Sequence, residues 1–140
     1  MKGLPTISII TVCYNSVATL PDTLQSVAAQ SGVQLQHILV DGGSTDGTVA
    51  LIEAYAREHK QVVWVSEKDQ GLYDAMNKGL ARCSGDIIGL LNADDFYARN
   101  DALRLVAEKF ATENPDALYA DLNYVDAHQT DRIVRRWKSG

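Results

Sequence analysis

The sequence predicts an α/β fold, a mostly parallel sheet with helices on both faces. Three observations predict it. Short runs rich in β-branched residues alternate with segments of helical period along the whole chain. Those runs are short and almost wholly apolar, which suits strands buried on both faces. Polar segments follow each of the first four runs, at the rim where open α/β sheets bind ligands.

The elements follow in order. Ile7 to Val12 reads as a buried first strand. Thr19 with Asp22 makes a capping-box pattern, Pro21 fits the first turn, and Leu20, Leu24, Val27 and Ala28 fall on one helical face. His37 to Val40 is the second strand, and Asp46 is the expected N-cap of the next helix. Val62 to Val65 is the third strand. Leu72, Ala75, Met76, Gly79, Leu80 and Cys83 keep helical spacing up to a stop at Ser84-Gly85. Asp86 to Leu91 is the fourth strand, and Leu103, Val106, Ala107 and Phe110 mark a fourth helix ended before Pro115. Ala117 to Ala120 is expected as a fifth strand, with a sixth around Arg132 to Trp137. No repeat, linker or low-complexity tract interrupts this order.

The 140 residues suffice for one domain with a real core, at 46% hydrophobic and 22% charged residues. No apolar run reaches the length of a membrane span, and Met1 to Pro5 is not a signal peptide, so a cytoplasmic location is expected. A net charge of −5 argues against nucleic acid as the main partner. The one basic cluster, Arg132, Arg135, Arg136 and Lys138, reads as a solvated strand face; it also suits a phosphate or the anionic inner face of a membrane. Cys13 and Cys83 lack metal-type spacing and read as buried small apolar residues. His37, His59 and His128 are scattered and read as structural.

Four segments hold the polar residues: "TVCYN" (Thr11–Asn15), "DGGSTDGT" (Asp41–Thr48), "DQGLYDAMNKG" (Asp69–Gly79) and "NADD" (Asn92–Asp95). Neither the dinucleotide fingerprint nor the P-loop is present. Asp41 after a buried strand would also suit an aspartyl nucleophile, but Gly43 stands where that chemistry wants a second acid. A calcium loop fails on spacing. The last segment poses its own question, because adjacent carboxylates such as Asp94 and Asp95 resist burial unless a positive charge joins them. A solvated turn answers it, and so does a divalent-cation site.

Taken in this order, the four segments resemble the family 2 glycosyltransferases, across nearly the whole chain, and "GLYDAMNKG" looks most like bacterial members that build surface polysaccharides. The resemblance implies a Rossmann-like GT-A fold that binds a nucleotide-diphospho-sugar donor and a divalent cation, Mn²⁺ or Mg²⁺. It places the cation on Asp94 and Asp95, with Asn92 where many members carry a further acid. It places Tyr14 and Asn15 at the base and ribose, and Asp41, Ser44 and Asp46 in the nucleotide pocket. Asp69 and Gly71 match the loop before the third helix, and Asp74, Asn77 and Lys78 would face the donor sugar or diphosphate. Asp74 and Lys78, four apart, equally suit a surface ion pair. Tyr73 and Met76 read as packing. Gly42 stands where many members place a second acid that reads the base, so UDP, GDP and dTDP donors all remain open.

The expected reaction is an inverting, metal-assisted transfer to the hydroxyl of a saccharide or lipid-linked acceptor. Residues 1–140 are expected to form a single donor-binding domain, cut before the half that carries the acceptor site and the general base. Asp121 and Asp126 come late enough to be considered as that base, but nothing in their setting supports either. Self-association and peripheral membrane association fit this picture. Two other readings stand beside it, a nucleotidyltransferase and a non-catalytic nucleotide-binding or protein-binding module.

Overall fold

A computed structural model of the chain describes residues 3–113, 122–125 and 133–137. Its elements run β1 (Ile7–Cys13), α1 (Leu20–Ala28), β2 (Leu35–Asp41), α2 (Thr48–Glu58), β3 (Val62–Ser66), α3 (Leu72–Leu80), β4 (Ile87–Leu90), α4 (Ala102–Glu113), β5 (Leu122–Val125) and β6 (Ile133–Trp137). The first four strands form one parallel sheet in the order β3-β2-β1-β4. β5 and β6 pair antiparallel. The sixth strand appears where it was expected. The fifth lies at 122–125, and the segment 117–120 expected for it is outside the described residues, as are Asp121, Asp126, His128, Arg132 and Lys138.

β1 is central, which is why six of its seven residues are buried. The strand period of two sends alternate side chains to opposite faces. Ile7, Ile9 and Cys13 join clusters built with Leu20, Leu24 and Val27 of α1, Ile52 and Tyr55 of α2, and Leu103 and Ala107 of α4. Ile10 faces the other way, toward Ile38, Val40 and Ala75 of α3. Helices therefore cover both faces, as the alternation predicts. α3 comes in very close to the strand: a Cβ at Gly79 would sit 2.6 Å from Ile10 Cγ2.

Several local expectations change. Thr19 is the N-cap of α1 but forms no capping bond; its hydroxyl donates to the Ala93 carbonyl at 2.9 Å instead. Thr23, not Ala28, completes the buried face of that helix. The N-cap of α2 is Gly47, left-handed at φ 102°, while the carboxylate of Asp46 reaches across it to accept from the Thr48 backbone N–H at 3.0 Å. Leu72 and Leu80 of α3 are exposed, because the small residues Ala75 and Gly79 make the contact with the sheet. Tyr73, expected to pack, is 84% exposed. Cys83 is half-buried where full burial was expected.

β1 leads to β2 and β3 on one side, whereas β4 lies on the other. The strand order thus reverses at β1, and the carboxyl ends of the strands there form the expected ligand crevice.

Candidate functional site: the carboxyl rim of the sheet

Asp41 ends β2 fully buried, a position an ionised carboxylate tolerates only when hydrogen-bonded. Its Oδ2 accepts from the backbone N–H groups of Gly43 (3.0 Å) and Ser44 (2.9 Å) and from the Ser66 hydroxyl (2.8 Å). Its Oδ1 accepts from the Ser44 hydroxyl at 2.5 Å. Both oxygens are taken up by the protein, so Asp41 shapes the loop that follows it. Sequence reasoning passed over Ser66, whose role depends on its pairing opposite Asp41 in the β2–β3 register.

That loop is stitched to the end of β1. Asn15 adopts a left-handed backbone at φ 46°. Its N–H donates to Ser44 Oγ at 2.8 Å, and its Oδ1 accepts from the Thr45 N–H at 2.8 Å. The Ser16 N–H donates to the Thr48 hydroxyl at 2.8 Å, and that hydroxyl donates to Asp46 Oδ1 at 2.6 Å. Asp46 Oδ2 accepts from the Val17 N–H at 3.2 Å. These bonds, the Thr48 hydroxyl first, hold the Asp46 carboxyl below its ordinary range. Asn15, Asp41, Ser44 and Asp46 are therefore one connected unit, and Tyr14 joins it through its N–H, which donates to Ser16 Oγ at 3.3 Å, with its side chain 64% exposed.

An open cleft of about 460 Å³ lies beside this unit, lined in part by Val12, Tyr14, Gly42, Gly43, Asp69 and Gly71. Asp69 and Gly71 come from the β3–α3 connection, so three loops meet there, as the strand-end rule predicts. Lys78 of α3 reaches Asp69 Oδ1 at 2.7 Å, Glu67 at 3.1 Å and Asp74 at 3.4 Å. The expected Asp74–Lys78 pair is real but is the longest of the three. The Asp69 carboxylate, more than the other acids, drives the Lys78 ammonium above its usual range. Asp74 also accepts from the Gln70 N–H at 2.9 Å, closing the turn into α3. Asn77 is exposed on the same helix.

The acidic segment after β4 is held from behind. The Thr23 hydroxyl is shared between the carbonyls of Ala93 (3.0 Å) and Asp95 (2.6 Å), alongside the Thr19 bond to Ala93. Sequence reasoning read Thr19 only as a helix cap and passed over Thr23, which passes for an ordinary helix residue. Asn92 and Asp94 are exposed and Asp95 is half-buried. Burial, then the charge of Asp94, raises the Asp95 carboxyl above its ordinary value. None of these three residues lines the 460 Å³ cleft. Among the described residues no group of three or more His, Cys, Asp or Glu could hold a metal ion. The two carboxylates supply hard oxygen donors of the kind Mn²⁺ or Mg²⁺ take, with the remaining ligands from water and phosphate.

Two further titratable groups are buried in the sheet. His37 is fully buried, with Nε2 2.8 Å from the Thr11 hydroxyl and Nδ1 3.0 Å from the Tyr55 hydroxyl. Burial, aided by His59, pushes it down to about 3. Burial, aided by the charge of Asp41, pushes the Cys13 thiol up to about 12, so it is inert at neutral pH.

With this geometry described, comparison with known proteins decides the lineage. The sequence matches the family described as glycosyl transferase family 2 over residues 8–138. The chain belongs to that family. A glycosyltransferase of Mycobacterium tuberculosis is 37% identical over 116 residues, covering 82% of this chain and 44% of the relative. A second protein of that organism, a "PGL/p-HBAD biosynthesis glycosyltransferase", is 37% identical over 120 residues, covering 84% and 47%. The chain thus spans less than half the length of these relatives. Among solved structures, the mannosyltransferase PcManGT from Pyrobaculum calidifontis, in complex with GDP-Man and Mn²⁺, superposes with a TM-score of 0.72 at 24% identity. That match covers 87% of this chain and 36% of the other, and it supports the GT-A fold expected for the family 2 chain.

Proposed function

We propose that this chain is the donor-binding domain of a family 2 glycosyltransferase, which transfers a sugar from a nucleotide-diphospho-sugar to an acceptor hydroxyl. The observation that carries the reading is the convergence of three loops on one cleft at the carboxyl rim of the sheet, the rim from which the acidic segment after β4 also leaves. In this reading Tyr14 and Asn15 meet the base and ribose, and the loop shaped by Asp41, Ser44 and Asp46 forms the pocket wall. Asp69 and Gly71 close the opposite side. Asp94 and Asp95 hold Mn²⁺ or Mg²⁺, with Asn92 beside them for the sugar or ribose. When bound, the cation supplies charge neutralisation for the departing nucleoside diphosphate. Lys78 and Asp74 act one step back, by fixing Asp69, and Asn77, exposed on the same helix, faces the donor sugar or diphosphate in this reading.

The reaction is inverting in this proposal, with acceptor and general base supplied by sequence that the relatives carry beyond the matched region. The acceptor in this proposal is a saccharide or lipid-linked hydroxyl. No helix of the described residues is long and apolar enough to cross a membrane; peripheral association at the cytoplasmic face suits such an acceptor. Calorimetric titration of the chain with UDP-, GDP- and dTDP-sugars, with and without Mn²⁺, tests the proposal. Metal-dependent binding of at least one nucleotide sugar is expected. Binding of nucleoside triphosphates alone would favour a nucleotidyltransferase, and no binding at all would overturn the reading.

A further inference from the structure

Gly42 and Asp69 are packed in a way the loop chemistry alone does not require. A Cβ built at Gly42 would stand 2.9 Å from Asp69 Oδ2 and 3.5 Å from Tyr14 Cδ1. The carboxylate and the aromatic ring thus flank one point on the cleft floor, and any side chain at position 42 would fill it. Asp69 is held there from the far side: Lys78 takes Oδ1 at 2.7 Å, and the Asp69 side chain is only 12% exposed. Oδ2 is the oxygen turned toward Gly42. Lys78, itself only 17% exposed, is restrained further by Glu67 and Asp74, so the carboxylate cannot readily rotate to give both oxygens to the ammonium.

We infer that Asp69 is the residue that selects the nucleobase of the donor, by presenting Oδ2 as an acceptor to a ring N–H, and that Lys78 positions it. This rests on the proposed donor-binding function and deepens it by naming a substrate class. A planar base laid against the exposed face of Tyr14 turns an edge toward Asp69. Uracil and thymine offer N3–H at their pairing edge, and guanine offers N1–H with an adjacent amino group. Cytosine and adenine offer a ring nitrogen lone pair at the corresponding place, which a carboxylate oxygen repels, and only the neighbouring exocyclic amino group as a donor. The chain therefore takes nucleoside diphosphates whose base carries a ring N–H and discriminates against CDP and ADP. Gly42 is required because a larger residue would displace the carboxylate.

A hydrogen bond to a charged group sets the scale, at about ten- to hundredfold in affinity. The experiment titrates the 140-residue chain and three variants with UDP, GDP, CDP and ADP in the presence of Mn²⁺, with circular dichroism and melting temperature recorded for each. The wild type is expected to bind UDP or GDP at least tenfold more tightly than CDP and ADP. In Asp69→Asn, Lys78 retains the amide oxygen and the NH₂ group turns to the cleft. That variant should lose about tenfold or more for UDP or GDP and hold or gain affinity for CDP. Lys78→Met should flatten the discrimination without reversing it, and Gly42→Ala should weaken the ring N–H bases more than the others. Equal weakening of all four diphosphates in a folded Asp69→Asn, or equal wild-type affinity for all four, overturns the assignment while leaving donor binding intact. Should Asp69→Asn fail to fold, the Gly42→Ala and Lys78→Met preferences decide. Failure of every diphosphate to bind the wild type overturns the donor-binding reading and this inference with it.

Discussion

Ser66 donates to Asp41 across the β2–β3 pair at 2.8 Å, tying the ends of two strands to one buried carboxylate. The loop that follows Asp41 depends on that anchor. Asp41→Ala leaves the N–H groups of Gly43 and Ser44 and two hydroxyls without their acceptor. Gly43 and Ser66 are exposed and Ser44 is half-buried, so water can meet these donors and each lost bond costs only ~0.5–1 kcal/mol. A stability loss of ~2–4 kcal/mol is therefore expected in urea unfolding, with nucleotide affinity lost in the fraction that stays folded. Ser66→Ala should cost only about 1 kcal/mol, because the backbone donors remain. An unchanged unfolding midpoint for Asp41→Ala would show that the loop holds itself.

The acidic pair after β4 calls for a different readout. In Asp94→Ala and Asp95→Ala, Mn²⁺-dependent binding of a nucleoside diphosphate is expected to fall at least tenfold while the melting temperature stays within a few degrees. Asp94→Ala should relieve the part of the rise in the Asp95 carboxyl that comes from the Asp94 charge, leaving the part due to burial. Isothermal calorimetry at fixed nucleotide and varied Mn²⁺ measures this. Identical metal dependence in wild type and both variants would reduce the pair to a polar turn.

The buried histidine sets a pH dependence. His37 titrates near 3 in the folded protein against an ordinary 6.5, so between those values the unfolded chain binds the additional proton. Stability must then fall as pH drops through that window, by up to ~1.4 kcal/mol per unit from this group, and must be insensitive to it above about 7. The comparison is His37→Gln, which keeps hydrogen-bonding atoms for Thr11 and Tyr55 but cannot titrate. Its stability is expected to fall less steeply from pH 6.5 to pH 4 than that of the wild type. Parallel slopes would mean that His37 is not the group responsible.

The alternation of runs and the polar strand ends made the sheet and its rim legible, because both follow from period and from the placement of ligands beyond parallel strands. Asp41, Asp69 and Asp94 could be put on one rim for that reason. What was not legible depended on register or on size. Ser66 meets Asp41 only through the pairing of β2 with β3, which no local pattern encodes. Leu72 and Leu80 keep the helical period of α3, yet Ala75 and Gly79 make its contact with Ile10 and leave the larger side chains outside. Gly42 read as a missing acid, when its lack of a side chain is what lets Asp69 stand beside it. Thr19 read as a helix cap and Thr23 as an ordinary helix residue because their partners, the carbonyls of Ala93 and Asp95, are some seventy residues away in the chain.

Those threonines carry the last prediction. Thr23 is fully buried, and its hydroxyl is shared by two carbonyls of the acidic segment, so it sets the backbone from which Asp94 and Asp95 project. Thr23→Val keeps the shape and removes the donor. The Ala93 carbonyl retains Thr19, but the Asp95 carbonyl loses the 2.6 Å bond. A stability loss of about 1–2 kcal/mol is expected from one unpaired buried acceptor. Groups that orient metal ligands typically change metal affinity by ~10–100-fold, so Mn²⁺ binding in the presence of nucleotide should weaken within that range. Thr23→Ser should restore metal affinity, since the hydroxyl returns, while regaining little of the methyl packing. A variant that loses stability but binds Mn²⁺ as the wild type does would show that the hydroxyl supports α1 and not the acidic segment. Paired loss in Thr23→Val and recovery in Thr23→Ser would tie the first helix of the fold to the cation that the fourth strand presents.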